Sequence, residues 1–262
     1  MQSITLAGIT LVIEDTGPPE APALVFSNSL GTDFRVWDPL LAHLPAGWRR
    51  IRYDKRGHGL SDCPPGPWQI ADHVADLEGL LAALGVERAV VIGLSVGGLI
   101  AQMLAHRHPE RVRALVLCDT AARIGTEALW SERMAKIEAG GIPAISADIL
   151  TRWFTAKTRA DATRLAPWRN MLERTTAAGY LETCRALRDC DHRAMTAELR
   201  LPCLAVAGEA DGSTPPELVR ETAALIPGSR FEVIRGAGHI PCVEQPAVLG
   251  RLIAEFVESL PN

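Results

Sequence analysis

Two kinds of segment are missing from this 262-residue sequence: a positively charged start followed by an apolar stretch, and any run of eighteen apolar residues. The first is typical of secretory signals and the second of membrane spans, so we expect a cytoplasmic protein that does not associate with membranes. The sequence also has no basic cluster interleaved with aromatic residues, and its net charge is −4. We therefore expect no nucleic-acid partner.

Cysteine is sparse and irregularly placed, with no Cys-x-x-Cys pair and no Cys/His ligand spacing. In a chain of this length, scattered cysteines indicate reduced thiols rather than a disulfide framework or a zinc site. We assign them no catalytic role and expect no bound metal. The six residues are Cys63, Cys118, Cys184, Cys190, Cys203 and Cys242.

The composition, 47% apolar and 22% charged, is that of an ordinary globular protein and allows one α/β domain or two small ones. Short apolar runs alternate with segments of helical periodicity, which predicts an α/β fold with a mostly parallel, twisted sheet flanked by helices. The predicted strands are a hairpin over 3–14, then 23–26, 49–53, 90–93, 113–119, 201–208 and 230–234. The predicted helices cover 33–44, 70–84, a segment from just after Ser95 to 106–109, 215–226 and 246–260.

A serine stands where the apolar strand 90–93 changes into a helical pattern. Gly93 and Gly97 lie two residues before and two after Ser95, and small residues are needed there if strand and helix are to pass closely. Gly-x-Ser-x-Gly alone is a weak signal, and a closely packed glycine-rich turn is the alternative. Its position between a strand and a helix favours an exposed nucleophile above the sheet.

The strand rhythm stops between residues 123 and 197, where a helix-rich segment contains Trp130, Trp153 and Trp168. We interpret 123–197 as a helical cap inserted into a core formed by 1–122 and 198–262. Breaks are predicted at 140–143 and at Gly179-Tyr180. The cap has 12 Arg and Lys against 9 Asp and Glu. A basic, aromatic cover over the serine suits an apolar substrate that carries a carboxylate.

Acidic and histidine side chains follow several predicted strands. Asp211 and Glu209 compete for a place at the end of strand 201–208, and we favour Asp211. His239 follows the last strand and has room to swing toward Ser95, whereas His58 is expected to hydrogen-bond within its own loop. His106 and His108, at a helix end, are expected to be solvated.

These residues allow nucleophilic catalysis at a carbonyl. A serine hydroxyl needs a base to take its proton, and a buried carboxylate best orients the imidazole that does so. Ser95, His239 and Asp211 fill the three roles. Backbone N–H groups of Val96 and of the loop 29–31, with Leu30 favoured, would bind the oxyanion. Such chemistry needs neither metal nor organic cofactor.

The sequence resembles the α/β-hydrolase family along essentially its whole length, through residues 28–31, 53–61, 93–98, 208–211 and 238–239. More narrowly, it is similar to the enol-lactonases that open 3-oxoadipate enol-lactone in the β-ketoadipate route of aromatic catabolism. The segments that carry this narrower similarity are 27–32, 120–125, 153–155, 179–180 with Cys184, and 213–216.

The resemblance implies a carboxylated lactone as the small-molecule substrate. Its carboxylate would bind the Trp130 N–H or Arg133, with Arg123 behind them and Trp153 in the substrate pocket. The rival activities are a carboxylesterase or a carbon–carbon bond hydrolase with the same triad, and a non-catalytic ligand-binding protein on this scaffold. The oligomeric state is not specified by the sequence, which is consistent with a monomer.

Overall fold

An eight-stranded sheet runs through the computed structural model, which describes residues 1–261. The strands are β1 (Gln2–Leu6), β2 (Ile9–Thr16), β3 (Ala23–Ser27), β4 (Arg49–Tyr53), β5 (Ala89–Leu94), β6 (Val112–Cys118), β7 (Cys203–Gly208) and β8 (Arg230–Ile234). Their order across the sheet is β1-β2-β4-β3-β5-β6-β7-β8. The hairpin β1–β2 is antiparallel and adds to β4 antiparallel, while all other neighbours are parallel. The predicted mostly parallel sheet is confirmed.

The central strands are apolar without alternation because helices cover both faces of the sheet. Every residue of β3, β5 and β7 is buried, as expected for parallel strands enclosed on both sides. Since the carboxyl ends of these strands meet at one edge, the loops after β3, β5, β7 and β8 are brought together there.

Five of the six core helices lie at the predicted positions, with shorter ends, and the short helix Pro241–Glu244 has no predicted counterpart. The six are α1 (Asp38–Leu41), α2 (Ile70–Ala83), α3 (Val96–Arg107), α10 (Pro216–Ala224), α11 (Pro241–Glu244) and α12 (Pro246–Glu258). The segment predicted as one helix over 33–44 begins as a 3₁₀ turn at Phe34–Trp37, capped by Asp33, and ends at Leu41. No helix within residues 1–261 has both the length and the apolar composition required to cross a membrane.

Six helices are inserted between β6 and β7: α4 (Glu127–Gly140), α5 (Pro143–Trp153), α6 (Ala156–Ala160), α7 (Ala162–Glu173), α8 (Ala177–Arg188) and α9 (Arg193–Thr196). The predicted break at 140–143 lies where α4 ends and α5 begins, with Gly141 at a φ of 69°.

The predicted break at Gly179-Tyr180 is wrong, since both residues lie in the first turn of α8. Gly179 serves packing instead of chain reversal. A Cβ atom there would lie 2.1 Å from the carbonyl oxygen of Gly57, so glycine allows the inserted helix to approach the core loop closely.

His73 on α2 makes the stability of this fold depend on pH. The residue is 1% exposed, and its ring stands edge-on to that of Trp68 with the ring centroids 5.8 Å apart. Neither ring nitrogen has a hydrogen-bond partner among residues 1–261. Burial, together with the charges of Lys55 and Arg56, lowers the pKa of His73 well below its usual value. Below about pH 6.5 the unfolded chain therefore binds a proton on His73 that the folded protein does not bind. The free energy of unfolding consequently decreases as pH falls.

We expect His73→Leu to lose about 2 kcal/mol less free energy of unfolding between pH 7 and pH 5 than the wild type. Urea titrations of both proteins at the two pH values measure this difference. Equal losses would show that the folded protein accepts the proton on His73.

Candidate active site

Ser95 occupies a sharp turn between β5 and α3. Its backbone has φ 57° and ψ −120°, a conformation that L residues rarely adopt. A Cβ atom on Gly93 would lie 2.4 Å from the carbonyl oxygen of Gly97, and one on Gly97 would lie 1.9 Å from that of Ser27. Both positions therefore require glycine, and the turn presents the serine side chain above the carboxyl edge of the sheet.

The loops after β7 and β8 bring a carboxylate and an imidazole together. Asp211 Oδ2 lies 2.9 Å from His239 Nδ1, and both side chains are buried. Asp211 Oδ1 accepts the N–H groups of Ser213 at 2.7 Å and Thr214 at 3.1 Å, and Oδ2 accepts the Thr214 hydroxyl at 2.6 Å. The carboxylate is thus held in one orientation toward the ring.

The electrostatics of this pair favour an ionised carboxylate. Burial alone would raise the pKa of Asp211, but the charge of His239 and the hydrogen bonds from His239, Thr214 and Ser213 outweigh it and lower that pKa. A carboxylate held in this state fixes the tautomer of the imidazole and stabilises its protonated form.

A second carboxyl group, Asp119, lies beside Asp211 at the end of β6. It is fully buried, its backbone has a φ of 46°, and its Oδ1 accepts the N–H of Gly208 at 2.7 Å. Burial and the neighbouring charge of Asp211 raise the pKa of Asp119 well above its usual value. Asp119 is therefore harder to ionise than Asp211.

Asp119, Asp211 and His239 are also the group of side chains that could hold a metal ion, since their ligand atoms lie within 4.8 Å of one another. The donor set fits a metal poorly. His239 Nδ1 and Asp211 Oδ2 are joined to each other by a hydrogen bond, and Asp119 Oδ1 is bound to Gly208. We therefore interpret the cluster as a hydrogen-bonded acid–imidazole arrangement.

A cavity of about 40 Å³ lies beside Ser95, between the loops of the core and the inserted helices. Within residues 1–261 no hydrogen bond joins Ser95 Oγ to the His239 ring, but both side chains line this cavity. Such a bond often forms only when substrate is bound. The lining residues are Ser29, Leu30, Ser95, Ile124, Gly125, Leu129, Trp130, Arg133, Ile149, Arg152, Trp153, Tyr180, Leu187, Ser213 and His239.

Two backbone N–H groups are candidates for an oxyanion site. The Leu30 N–H makes no hydrogen bond within residues 1–261, and Leu30 lines the cavity with Ser95. Val96 is the first residue of α3, where N–H groups have no partner inside the helix. The arrangement can therefore offer two donors to a negative charge that develops near Ser95.

The residues expected to bind a substrate carboxylate are only partly brought together. Arg133 and Trp153 line the cavity. The Trp130 ring does too, but its N–H donates to the carbonyl of Ile124 at 2.7 Å, so the expected use of that N–H is wrong. Arg123 is not part of the cavity: its side chain is exposed and lies 3.4 Å from Asp191. Trp168 lies outside the cavity as well, in a separate groove beside Phe34 and Leu60.

Two polar residues of this region were missed from the sequence. Arg152, at the end of α5, lines the cavity and donates to the carbonyl of Gly212 at 3.2 Å. Glu244 is buried and accepts the N–H of Gly238 at 2.6 Å and that of Thr155 at 3.0 Å, which ties the His239 loop to the inserted helices. Nothing in the sequence marks either residue among its many charged neighbours.

The other candidate residues lie away from the cavity. His58 is buried, with Nδ1 3.1 Å from the carbonyl oxygen of Arg56, which confirms the expected bond within its loop. Glu209 is exposed and accepts the N–H of Gly236. His106 and His108 reach the solvent and lie beside Glu198 and Glu78, respectively.

Comparisons with known proteins agree with this architecture. A family model for the alpha/beta hydrolase fold matches residues 22–140. The chain is 37% identical over 254 residues to 3-oxoadipate enol-lactonase 1 of Acinetobacter baylyi, covering 97% of this chain and 95% of that protein.

Two solved structures extend the comparison. The enol-lactonase of Burkholderia xenovorans LB400 is 35% identical, with a TM-score of 0.95 over 98% of this chain and 100% of that one. A thermophilic esterase of Thermogutta terrifontis, solved with malate bound, is 27% identical with a TM-score of 0.92 over the full length of both chains.

Proposed function

Because this chain belongs to the α/β hydrolase family and is a hydrolase, we propose that it opens 3-oxoadipate enol-lactone to 3-oxoadipate through a covalent intermediate on Ser95. The similarity to the enol-lactonases of A. baylyi and B. xenovorans supports this substrate. The arrangement of Ser95, His239 and Asp211 supports the chemistry.

The observation that carries the substrate class is the presence of two arginines among the residues that line the cavity. Arg133 and Arg152 both line it, and neither forms a salt bridge with any carboxylate of residues 1–261. The remaining wall is mostly apolar, and the Arg133 guanidinium lies 4.7 Å from the centroid of the Trp130 ring. An unpaired cation in such surroundings favours a ligand that brings its own carboxylate.

In the proposed mechanism, the Ser95 hydroxyl attacks the lactone carbonyl carbon while the His239 ring takes its proton. The oxyanion is bound by the N–H groups of Leu30 and Val96. The tetrahedral intermediate collapses by breaking the ring C–O bond, and His239 protonates the departing enolate oxygen. Asp211 stabilises the imidazolium in both steps.

Deacylation then needs a water molecule, which must react before the enol, still tethered to the acyl chain, re-attacks the acyl carbon. His239 removes a proton from that water, which attacks the acyl carbon. The bond from this carbon to the Ser95 oxygen then breaks, His239 returns the proton to Ser95, and the acid is released. The freed enol converts to the ketone, and this step prevents the ring from closing again. The mechanism requires no electron transfer and no cofactor.

The cavity beside Ser95 is small compared with typical small-molecule sites. About 40 Å³ holds little more than a water molecule, whereas sites for small molecules usually measure about 300–1,000 Å³. Side chains of α4 and α5, among them Trp130 and Trp153, form one wall. An outward movement of these side chains would enlarge the cavity for a lactone.

We expect Arg152→Met and Arg133→Met each to raise KM for the carboxylated lactone by about 10-fold or more, the effect of losing a charged hydrogen bond. Hydrolysis of neutral 4-nitrophenyl acetate should change by less than about twofold, since that ester has no carboxylate. Steady-state kinetics on both substrates measure the two effects.

Arg123→Met is the matched control, because Arg123 is exposed and pairs with Asp191 away from the cavity. It should leave kcat and KM for both substrates unchanged. An unchanged KM for the lactone in both cavity variants would show that neither arginine binds the substrate carboxylate.

A simple esterase is the second candidate, favoured by the likeness to the T. terrifontis esterase. The same serine, histidine and aspartate would serve it, because substrate preference depends on the cavity wall. Equal kcat/KM for aryl esters and for the enol-lactone would favour this alternative.

A further inference from the structure

We propose that Lys55 is a positioning residue: it fixes the peptide between Ser29 and Leu30, in the loop 28–32, so that the Leu30 N–H faces the reacting carbonyl of the substrate. This inference rests on the proposed serine mechanism. Lys55 lies in the loop after β4, is 1% exposed, and its ammonium nitrogen donates to the Ser29 carbonyl oxygen at 3.0 Å. No step of the mechanism itself uses it.

The Ser29 carbonyl is held unusually firmly. Besides Lys55, it accepts the Thr32 hydroxyl at 2.9 Å and the Thr32 N–H at 3.3 Å. Asn28 closes the same loop by donating its side-chain amide to the carbonyl of Thr32 at 2.7 Å. Three donors on one carbonyl oxygen leave that peptide little freedom to rotate.

The orientation of the carbonyl sets the orientation of the next N–H group. In a planar trans peptide the C=O and the following N–H point in opposite directions. Because the Ser29 oxygen is turned toward Lys55 in the core, the Leu30 N–H is turned the other way. The proposal places that side at the cavity, which Leu30 lines together with Ser95 and His239. A rotation of this peptide would present a carbonyl oxygen to the oxyanion and repel it.

Burying the Lys55 ammonium group costs free energy, so a role in stability alone does not explain it. Within residues 1–261 its one hydrogen bond is the one to Ser29. Burial outweighs the attraction of Asp54 and Asp33, so that the pKa of Lys55 falls to about 7. The amine donates a hydrogen bond in either protonation state. Methionine has a similar shape and removes the cost of burying the charge, so it should preserve the fold while losing the bond.

The test compares Lys55→Met with the wild type on 4-nitrophenyl acetate and with a trifluoromethyl ketone inhibitor. The ketone adds the Ser95 oxygen to its carbonyl carbon and forms a hemiketal whose oxyanion occupies the site of the Leu30 and Val96 N–H groups. We expect kcat to fall by about 10- to 100-fold with KM within about threefold, and the inhibition constant to rise by the same factor as kcat falls. The melting temperature should not fall.

Thr32 supplies a conservative pair of variants for the same carbonyl. Thr32→Val loses the hydroxyl donor and should lower kcat severalfold, whereas Thr32→Ser keeps it and should restore wild-type kcat. Wild-type kcat and inhibition in Lys55→Met would overturn the inference, as would a loss of kcat matched by loss of folded protein. If Ser95→Ala still hydrolyses the ester or binds the ketone as tightly as the wild type, the serine mechanism itself fails.

Discussion

Ser95→Ala is expected to lower kcat for both the enol-lactone and 4-nitrophenyl acetate by at least about 10⁴-fold, because no other group can form the covalent intermediate. KM should change little, since the cavity wall is unaltered. The turn that holds Ser95 has positive φ for any residue, so alanine carries the same backbone strain as serine. The measurement is steady-state kinetics on purified protein, with the melting temperature as a check of folding.

Ser131→Ala is a suitable control, because Ser131 is exposed on α4 and does not line the cavity. It should retain full activity. If Ser95→Ala kept more than a few per cent of wild-type kcat, the proposed covalent intermediate would be wrong and water would have to attack the substrate directly.

Asp211→Asn is expected to lower kcat by about 10⁴-fold with both substrates. An amide keeps the size of the side chain but offers no negative charge to the imidazolium, and it can hold His239 in the wrong tautomer. Asp119 is poorly placed to replace Asp211, because its Oδ1 accepts the Gly208 N–H, whereas Asp211 Oδ2 is the oxygen bonded to His239. The effect is measured as kcat at several pH values, and it should persist from pH 6 to pH 9.

Glu209→Gln is the control for this variant. Glu209 lies two residues from Asp211 and was its rival in the sequence, but it is exposed and bonded to Gly236. We expect Glu209→Gln to keep activity within about twofold of the wild type. A larger loss in Glu209→Gln than in Asp211→Asn would reverse the assignment of the acid.

The parts of the structure that could be predicted from the sequence are those with strong local constraints. Gly93 and Gly97 mark the turn at Ser95 because any side chain there would meet backbone atoms. The buried strands are marked by unbroken apolar runs, and the acid and histidine follow strands whose carboxyl ends meet at one edge. Chain order and strand ends were therefore enough to choose His239 over His58.

The details of the inserted helices could not be predicted, because their packing depends on contacts distant in sequence. The sequence predicts a chain break at Gly179, but this glycine makes room for Gly57, 122 residues earlier in the chain. The resemblance predicts that the Trp130 N–H binds a substrate carboxylate, but it donates to the carbonyl of Ile124. Arg152 was overlooked because its place in the cavity is set by how α5 packs over the core.

Lys55 shows the same limit in the core. Its neighbours in sequence, Asp54 and Arg56, are charged, so the segment looks like a solvated loop. Only the structure places its amine under the Ser29 carbonyl.

The most direct test of the whole account is to follow the ultraviolet absorbance of 3-oxoadipate enol-lactone with the wild-type protein, and to measure 4-nitrophenyl acetate hydrolysis on the same preparation. We expect rapid loss of the lactone, with kcat/KM at least about 100-fold above that for the aryl ester. No loss of the lactone while the aryl ester is hydrolysed would contradict the proposed substrate, and would leave a serine esterase whose cavity binds a different carboxylate.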